Sequence, residues 1–483
     1  PAPLSTTGLP APLRGTGRRD GCNAVIRMHH FGLNAVTVAT STRKRPKCTQ
    51  PMIERVKIQG YKSLKNVELE LKPLTVLIGP NAAGKSNFLD ALQLLSRIAN
   101  SETLKNAFDP PYRGDPLESF TFGRDGIKGL LKEDKVSFSM EVDVKLSDDV
   151  IESVNNDIME LKGHSQNDKS KSGRYIKVRE NLLRYKIEVE IIPKSGTLRV
   201  SNEYLAALRK TDREPKESRK PFLSKEGDHL KLRLEGQGRP THIDRYLDRS
   251  VISKPLYSPH YPHMVAMKEE LSRWLFHYFE PREKMRSPSP VKEVKHVGMM
   301  GEELSSYLNT IKSSDEKQFE SIVNSLKMII PSLTGLDVEI NDLGQVELTF
   351  EEGNVSIPAR LVSEGTLRVL GLLTLSGVRE PASLLGFEEP ENGVHPNRIE
   401  TIAEYLKTQA SSGHAQLIIT THSPLLSDRL PKDSLYVCNK SNGITEITPF
   451  SSWGPLANRR NIKKALQDSS SISDRMVRGD FDD

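Results

Sequence analysis

The sequence predicts an α/β protein: a parallel core sheet flanked by helices, an antiparallel β region beside it, and an inserted mixed segment between the two halves of the core. Three observations carry this expectation. The apolar run Thr75-Val76-Leu77-Ile78 breaks at Gly79, and beyond a glycine loop Phe88, Leu92, Leu95 and Ile98 recur at helical spacing. Residues 135–146 alternate strictly, with Val136, Phe138, Met140, Val142, Val144 and Leu146 on one face, as half-buried antiparallel strands do. Late in the chain, Leu384–Phe387 and Leu417–Thr420 are continuous apolar runs joined by a helical pattern around Ile399–Leu406.

The elements follow in order. Ile53-Val56-Ile58 and Val67-Leu69-Leu71 alternate as strands ahead of the glycine loop. Tyr185-Ile187-Val189-Ile191 and Leu230-Leu232-Leu234 repeat the two-residue period. The polar stretches 163–173 and 209–220 separate them as exposed loops or disorder, the second being a solvated mixed-charge loop with six bases and three acids. Leu271, Trp274, Leu275 and Tyr278 fall at helical spacing, and Glu302–Leu326 reads as helical. Val338-Ile340 and Val346-Leu348-Phe350 read as short strands before a helix carrying Leu367, Leu370 and Leu373. The organisation expected is an extension over 1–51, a first lobe over 52–150, an inserted region over 151–335, a second lobe over 336–450 and a tail over 451–483.

At 483 residues, with 36% apolar and 27% charged residues, the composition is that of a globular protein. No apolar run approaches the roughly 18 residues of a spanning helix, so no membrane partner is expected. The net charge of +6 suggests nucleic acid only until it is divided by region. Residues 1–51 hold eight of the 69 bases and one of the 63 acids, which leaves 61 against 62 in the remainder. The body is therefore about neutral, and DNA binding is not indicated by charge. The segment 1–51 reads as lying outside the folded protein. A mis-set translation start ahead of Met52 explains it, with a disordered basic arm and an Arg-rich transit peptide as alternatives. Only Cys438 lies in the body, so neither a disulfide framework nor metal-ligand spacing is expected, and a reducing, cytoplasmic location fits.

Gly79-Pro80-Asn81-Ala82-Ala83-Gly84-Lys85-Ser86, followed by Asn87, fits G-x-x-x-x-G-K-S between a strand and a helix. Glycines let backbone N–H groups wrap phosphates, Lys85 would reach the β and γ phosphates, and the Ser86 hydroxyl would bind Mg²⁺. A second acidic feature answers it. Leu384–Phe387 ends in adjacent Glu388 and Glu389, and paired carboxylates are tolerable where a metal ion and a lysine face them. Glu388 would then steady the ion, often through water, and Glu389 would orient or deprotonate the attacking water. Glu389–Pro396 makes a polar turn that shapes a surface for another subunit, in which His395 alone is a loop histidine. His422, in Thr421-His422-Ser423 at the end of the next apolar strand, would point a nitrogen at the γ-phosphate. Ser363-Glu364-Gly365-Thr366 opens a helix and reads either as an ordinary N-cap or as a helix N-terminus facing a phosphate. Since the glycine loop serves the phosphates of its own chain, that phosphate would belong to a partner copy.

In that order, GPNAAGKSN, SEGTLR, FEEPENGVHP and TTHSP resemble the ABC-type ATPase heads of the SMC, RecF and OLD group, closest to the AAA-type family found in bacterial defence and mobile loci. The resemblance covers 52 to about 450. It implies a P-loop head with a parallel core, an antiparallel β subdomain and an inserted α/β region. It also implies two heads closing on two ATP molecules, each nucleotide lying between one copy's P-loop and the other's Ser363–Thr366. Lys62 and Ser63 resemble the N-terminal turn that touches nucleotide in such heads; an exposed strand end would look the same.

The sequence departs from the pattern in several places. Glu388 stands where Asp is usual, SEGT is a loose signature, and no segment supplies a glutamine loop. No CxxC hook or long coiled coil is present. OLD nucleases carry a further Toprim domain, for which too few residues follow His422; Asp480 and Asp482 imitate a metal pair but read as an acidic tail, so any nuclease would be a separate protein. The function expected is ATP hydrolysis by a homodimer, or a larger even-numbered assembly, that drives an effector in phage defence or DNA maintenance. A weakly hydrolysing, nucleotide-gated scaffold that sequesters a toxic partner is the alternative, and a RecF-like DNA-repair clamp is the third.

Overall fold

The computed structural model describes residues 53–163, 177–211, 214–235, 240–244, 247–375 and 382–452, together with 471 and 476, all within one compact unit. The expected extension over 1–51, most of the loop over 163–173, and the tail with Asp480 and Asp482 lie outside the described residues.

The core is a six-stranded sheet. Its order is Trp274–His277, Leu384–Glu388, Gln416–Thr421, Leu74–Ile78, Leu435–Ser441 and Ile444–Pro449, parallel except for the last pair. All five residues of Leu74–Ile78 and all six of Gln416–Thr421 are buried, which is why both read as unbroken apolar runs. Register brings the strand ends level: Glu388 lies opposite Thr420, and Thr421 opposite Ile78, immediately before Gly79. Helix Lys85–Asn100 packs its apolar stripe, with Phe88, Leu92, Leu95 and Ile98, into the same core as the antiparallel strands.

Those antiparallel strands form a second, larger sheet. Leu64–Glu70, Ile53–Tyr61, Val136–Lys145, Leu182–Ile192 and Thr197–Arg209 run in consecutive antiparallel pairs, continued by shorter strands through Leu223–Glu226, His229–Leu232 and Thr241–Asp244. Gln416 ties the two sheets together. Its side-chain amide accepts from the Ile53 N–H at 2.9 Å and donates to the Ile53 and Lys72 carbonyls at 3.0 Å each. A small third sheet, built on Gly335–Ile340 and Gln345–Glu352, packs with helices Leu304–Ser314 and Glu316–Ile329.

The expected lobe boundaries do not follow these sheets. The large sheet runs on from Val136–Lys145 to Leu182–Ile192 across residue 150, and residue 335 opens the strand Gly335–Ile340. Two local readings also change. Leu271, Trp274, Leu275 and Tyr278 satisfy helical spacing, yet the helix Pro262–Ser272 stops there and Trp274–His277 becomes the edge strand of the core. A short apolar run cannot distinguish the two by period alone. The helical stretch 302–326 is two helices, broken at Asp315, whose carboxylate caps the second by accepting the Gln318 N–H at 3.1 Å. Among the described residues, no helix is long and apolar enough to cross a membrane.

His277 on the edge strand is 3% exposed, and burial pushes its imidazole down to about 4. In the unfolded chain it titrates near 6.5. Its contribution to stability is therefore complete above that value and is lost as acid protonates the unfolded state first, between pH 6.5 and 4. The expected loss is about 3 kcal/mol. Glu203, Glu270 and Glu391, whose carboxyls burial raises, act in the opposite direction, so the measurement is a difference. Urea unfolding at several pH values should show His277→Phe losing less stability than the native protein across that window.

Candidate functional site

The loop after Leu74–Ile78 turns through backbone conformations that its residues allow. Gly79 and Gly84 have φ +148° and +97°, and Ala82 accepts φ +64°. A Cβ on Gly79 would sit 2.3 Å from the Cys438 carbonyl oxygen, so no other residue fits there. Burial pushes the Cys438 thiol up to about 12, against the pull of Lys85, so the sulfur stays neutral. Helix Lys85–Asn100 starts without a side-chain cap and with no acid in its first turn, which leaves its free N–H groups and positive dipole end facing the loop. Lys85 is 5% exposed and folds back over that loop, donating to the Gly79 and Pro80 carbonyls at 2.8 Å each. Burial lowers its pKa, while Cys438, Glu389, Glu388 and Glu391 act to raise it.

Ser63 abuts this loop, and neither Lys62 nor Ser63 stands free. Ser63 Oγ accepts from Asn87 Nδ2 at 2.7 Å and pairs with Thr445 Oγ1 at 2.6 Å, and Thr445 also donates to the Ala83 carbonyl at 2.9 Å. Lys62, with φ +45°, donates to Asp90 Oδ2 at 2.8 Å beneath the Tyr61 and Tyr112 rings.

The acidic strand end meets the loop. Ser86 Oγ donates to Glu388 Oε1. Glu389 stands in the left-handed region at φ +48° and its N–H donates to the Thr420 carbonyl at 2.9 Å, which holds it at the end of the next strand. There His422 Nδ1 lies 2.8 Å from Glu389 Oε1, leaving the other ring nitrogen on a side chain 44% exposed. Glu388 and Glu389 at one strand end and His422 at the next thus gather beside Lys85 and Ser86, which open the helix after the glycine loop.

Ser363 accepts the Thr366 N–H at 3.1 Å and caps helix Glu364–Thr374, as an ordinary N-cap does. Gly365 presses on the turn after Glu389, where a Cβ would come within 2.2 Å of the Gly393 carbonyl oxygen. Glu364 is paired with Arg282. His395 accepts the Asn397 N–H at 3.3 Å and caps the turn before Ile399–Ser412.

Three residues, Arg113, Asp90 and Thr445, join the site without a motif to announce them, and a fourth, Glu391, lies inside the FEEPENGVHP string, where the resemblance assigns it no role. Arg113 bridges Asp90 and Glu388, with Nη2 at 2.8 Å from a carboxylate oxygen of each. Burial works against its charge, but Asp90 and Glu388 outweigh that and hold the guanidinium above its ordinary value. Glu391 is 6% exposed and accepts from the Thr421 hydroxyl; burial raises its carboxyl. Thr445 braces the glycine loop from 362 residues away in sequence, so only the fold could reveal it.

A parallel core, a glycine loop at a strand end, an acidic neighbouring strand and an adjoining antiparallel sheet define a P-loop head of the ABC type. A family model described as "AAA domain, putative AbiEii toxin, Type IV TA system" matches residues 74–428, and the chain belongs to that family. An OLD nuclease from Thermus scotoductus is 39% identical over 44 residues, 9% of this chain and 8% of that protein, so the chain matches under a tenth of this relative's length. Among solved structures, an SMC head bound to the C-winged helix domain of ScpA has a TM-score of 0.46 at 13% identity, over 82% of this chain and 97% of that one. The SMC head domain of Thermotoga maritima has a TM-score of 0.38 at 13% identity, over 82% and 98%.

Proposed function

We propose that this chain binds and hydrolyses ATP, and that two copies close on the nucleotide. The observation that carries this reading is the meeting of the Ser86 hydroxyl with Glu388 beside the Glu389–His422 pair, at the mouth of the glycine loop. A hydroxyl and a carboxylate suit a hard divalent ion, and the uncapped helix start suits phosphate. Ser86 and Glu388 would hold Mg²⁺, which supplies charge neutralisation on the phosphates. Lys85 would turn from its backbone carbonyls to the phosphates. Glu389 would take the proton from a water whose oxygen attacks the γ-phosphorus as the bond to the bridging oxygen breaks, giving ADP and phosphate. His422 keeps Glu389 oriented and offers its second ring nitrogen to the γ-phosphate. Ser363, Gly365 and Thr366 would meet the partner copy's nucleotide. Gly365 against Gly393 would pass that contact to the turn that begins at Glu389.

The family description names a toxin–antitoxin system, which favours a role in defence over one in DNA repair, and the further reading is a chain that turns ATP over slowly and gates a toxic activity. Steady-state phosphate release and sedimentation with and without ATP test the proposal. ATP-dependent dimers with turnover support it; nucleotide-bound dimers with negligible turnover favour the gating reading; no nucleotide-dependent change in either measurement contradicts both.

A further inference from the structure

The loop between helix Lys85–Asn100 and strand Val136–Lys145 sends one side chain into the acidic strand end. Arg113 Nη1 and Nη2 lie 3.3 and 2.8 Å from the two oxygens of Glu388, while Nε and Nη2 lie 3.2 and 2.8 Å from Asp90 Oδ1. Its guanidinium also stacks over the Tyr278 ring at 5.3 Å. Glu388 Oε1 at the same time accepts from Ser86, so both carboxylate oxygens are already engaged. An ion shared by Ser86 and Glu388 therefore competes with Arg113 for the same oxygens, and two cations on one carboxylate repel each other.

Asp90 is insured against losing this partner. Lys62 donates to its other oxygen at 2.8 Å and to the Arg113 carbonyl at 3.2 Å, so departure of the guanidinium strands no buried charge. The same short segment is wired to the large sheet. Tyr112 bonds Tyr61 at 2.8 Å and Ser119 at 2.5 Å, and the Lys62 N–H donates to the Ser119 carbonyl at 3.0 Å.

We propose that Arg113 is a displaceable counter-ion: a divalent metal–nucleotide takes Glu388 from its guanidinium, and the release loosens residues 108–121 against the antiparallel sheet. The inference rests on the ATP-site reading and adds to it a residue that reports metal loading to the rest of the molecule. Because Arg113 opposes the ion but not the bare nucleotide, its effect depends on metal.

The test uses the full chain and the non-hydrolysable analogue AMPPNP, titrated calorimetrically with Mg²⁺ or with EDTA. Arg113→Ala should bind Mg·AMPPNP about tenfold more tightly than the native protein, with binding in EDTA unchanged. Arg113→Lys, which keeps charge but loses the fork, should fall between. In the native protein, hydrogen exchange over 108–121 should quicken with Mg·AMPPNP and not with AMPPNP in EDTA, a readout that needs no variant to fold. Equal or weaker Mg·AMPPNP binding by Arg113→Ala, or slower or unchanged exchange, overturns the proposal while leaving the ATP reading intact. Failure of the native protein to bind AMPPNP under either condition overturns both.

Discussion

Glu389→Gln is expected to lower ATP turnover by about 100-fold or more while the nucleotide stays bound. The amide is the same size and can still accept from the water or from His422, but it cannot take a proton. Lys85, Ser86 and the loop are untouched, so binding survives the loss of chemistry. On the proposed reading, in which two copies close before hydrolysis, the trapped species should be a dimer. Sedimentation of Glu389→Gln with Mg·ATP should give a stable dimer where the native protein cycles between states. Undiminished turnover would remove Glu389 from the proton transfer and would shift attention to Glu391, the other carboxyl on that turn.

Gly79→Ala is expected to destabilise the fold by roughly 3 kcal/mol and to abolish nucleotide binding. Two costs combine. A side chain at φ +148° is strained, and its Cβ would stand 2.3 Å from a carbonyl oxygen on Leu435–Ser441, a central strand that cannot retreat. The shift required would fall on the turn from which Lys85 hangs. Gly443 is the control: at φ +81° it faces open space, so Gly443→Ala meets only the backbone cost of about 1 kcal/mol. Urea midpoints of the two variants should separate accordingly. Similar midpoints would mean that the loop yields without resistance.

The residues legible in the sequence were those whose chemistry is local. Gly79 through Ser86 announce themselves by spacing, and Glu388 and Glu389 by the oddity of paired acids ending an apolar run. His422 followed because parallel strands bring their ends to one edge, as the pairing of Glu388 with Thr420 does. Arg113, Asp90 and Thr445 were invisible for the converse reason. Each matters through contacts distant in sequence, and an arginine in a Pro-rich loop or a threonine on an edge hairpin carries no local mark. The edge strand Trp274–His277 reads as helix from sequence because four residues cannot establish a period. Its true partner, Leu384–Phe387, lies about 110 residues away. Lys62 and Ser63 sit where the motif put them, but their side chains are occupied by Asp90 and Thr445.

The central claim is that the glycine loop and the acidic strand end form one metal–triphosphate site. Calorimetric titration of Mg·AMPPNP into the full chain tests it most directly. The account predicts saturable binding of one nucleotide per chain, weakened about 100-fold in Lys85→Ala, which lacks the ammonium that would reach the phosphates. Absence of binding in the native protein, or equal affinity in Lys85→Ala, would contradict it.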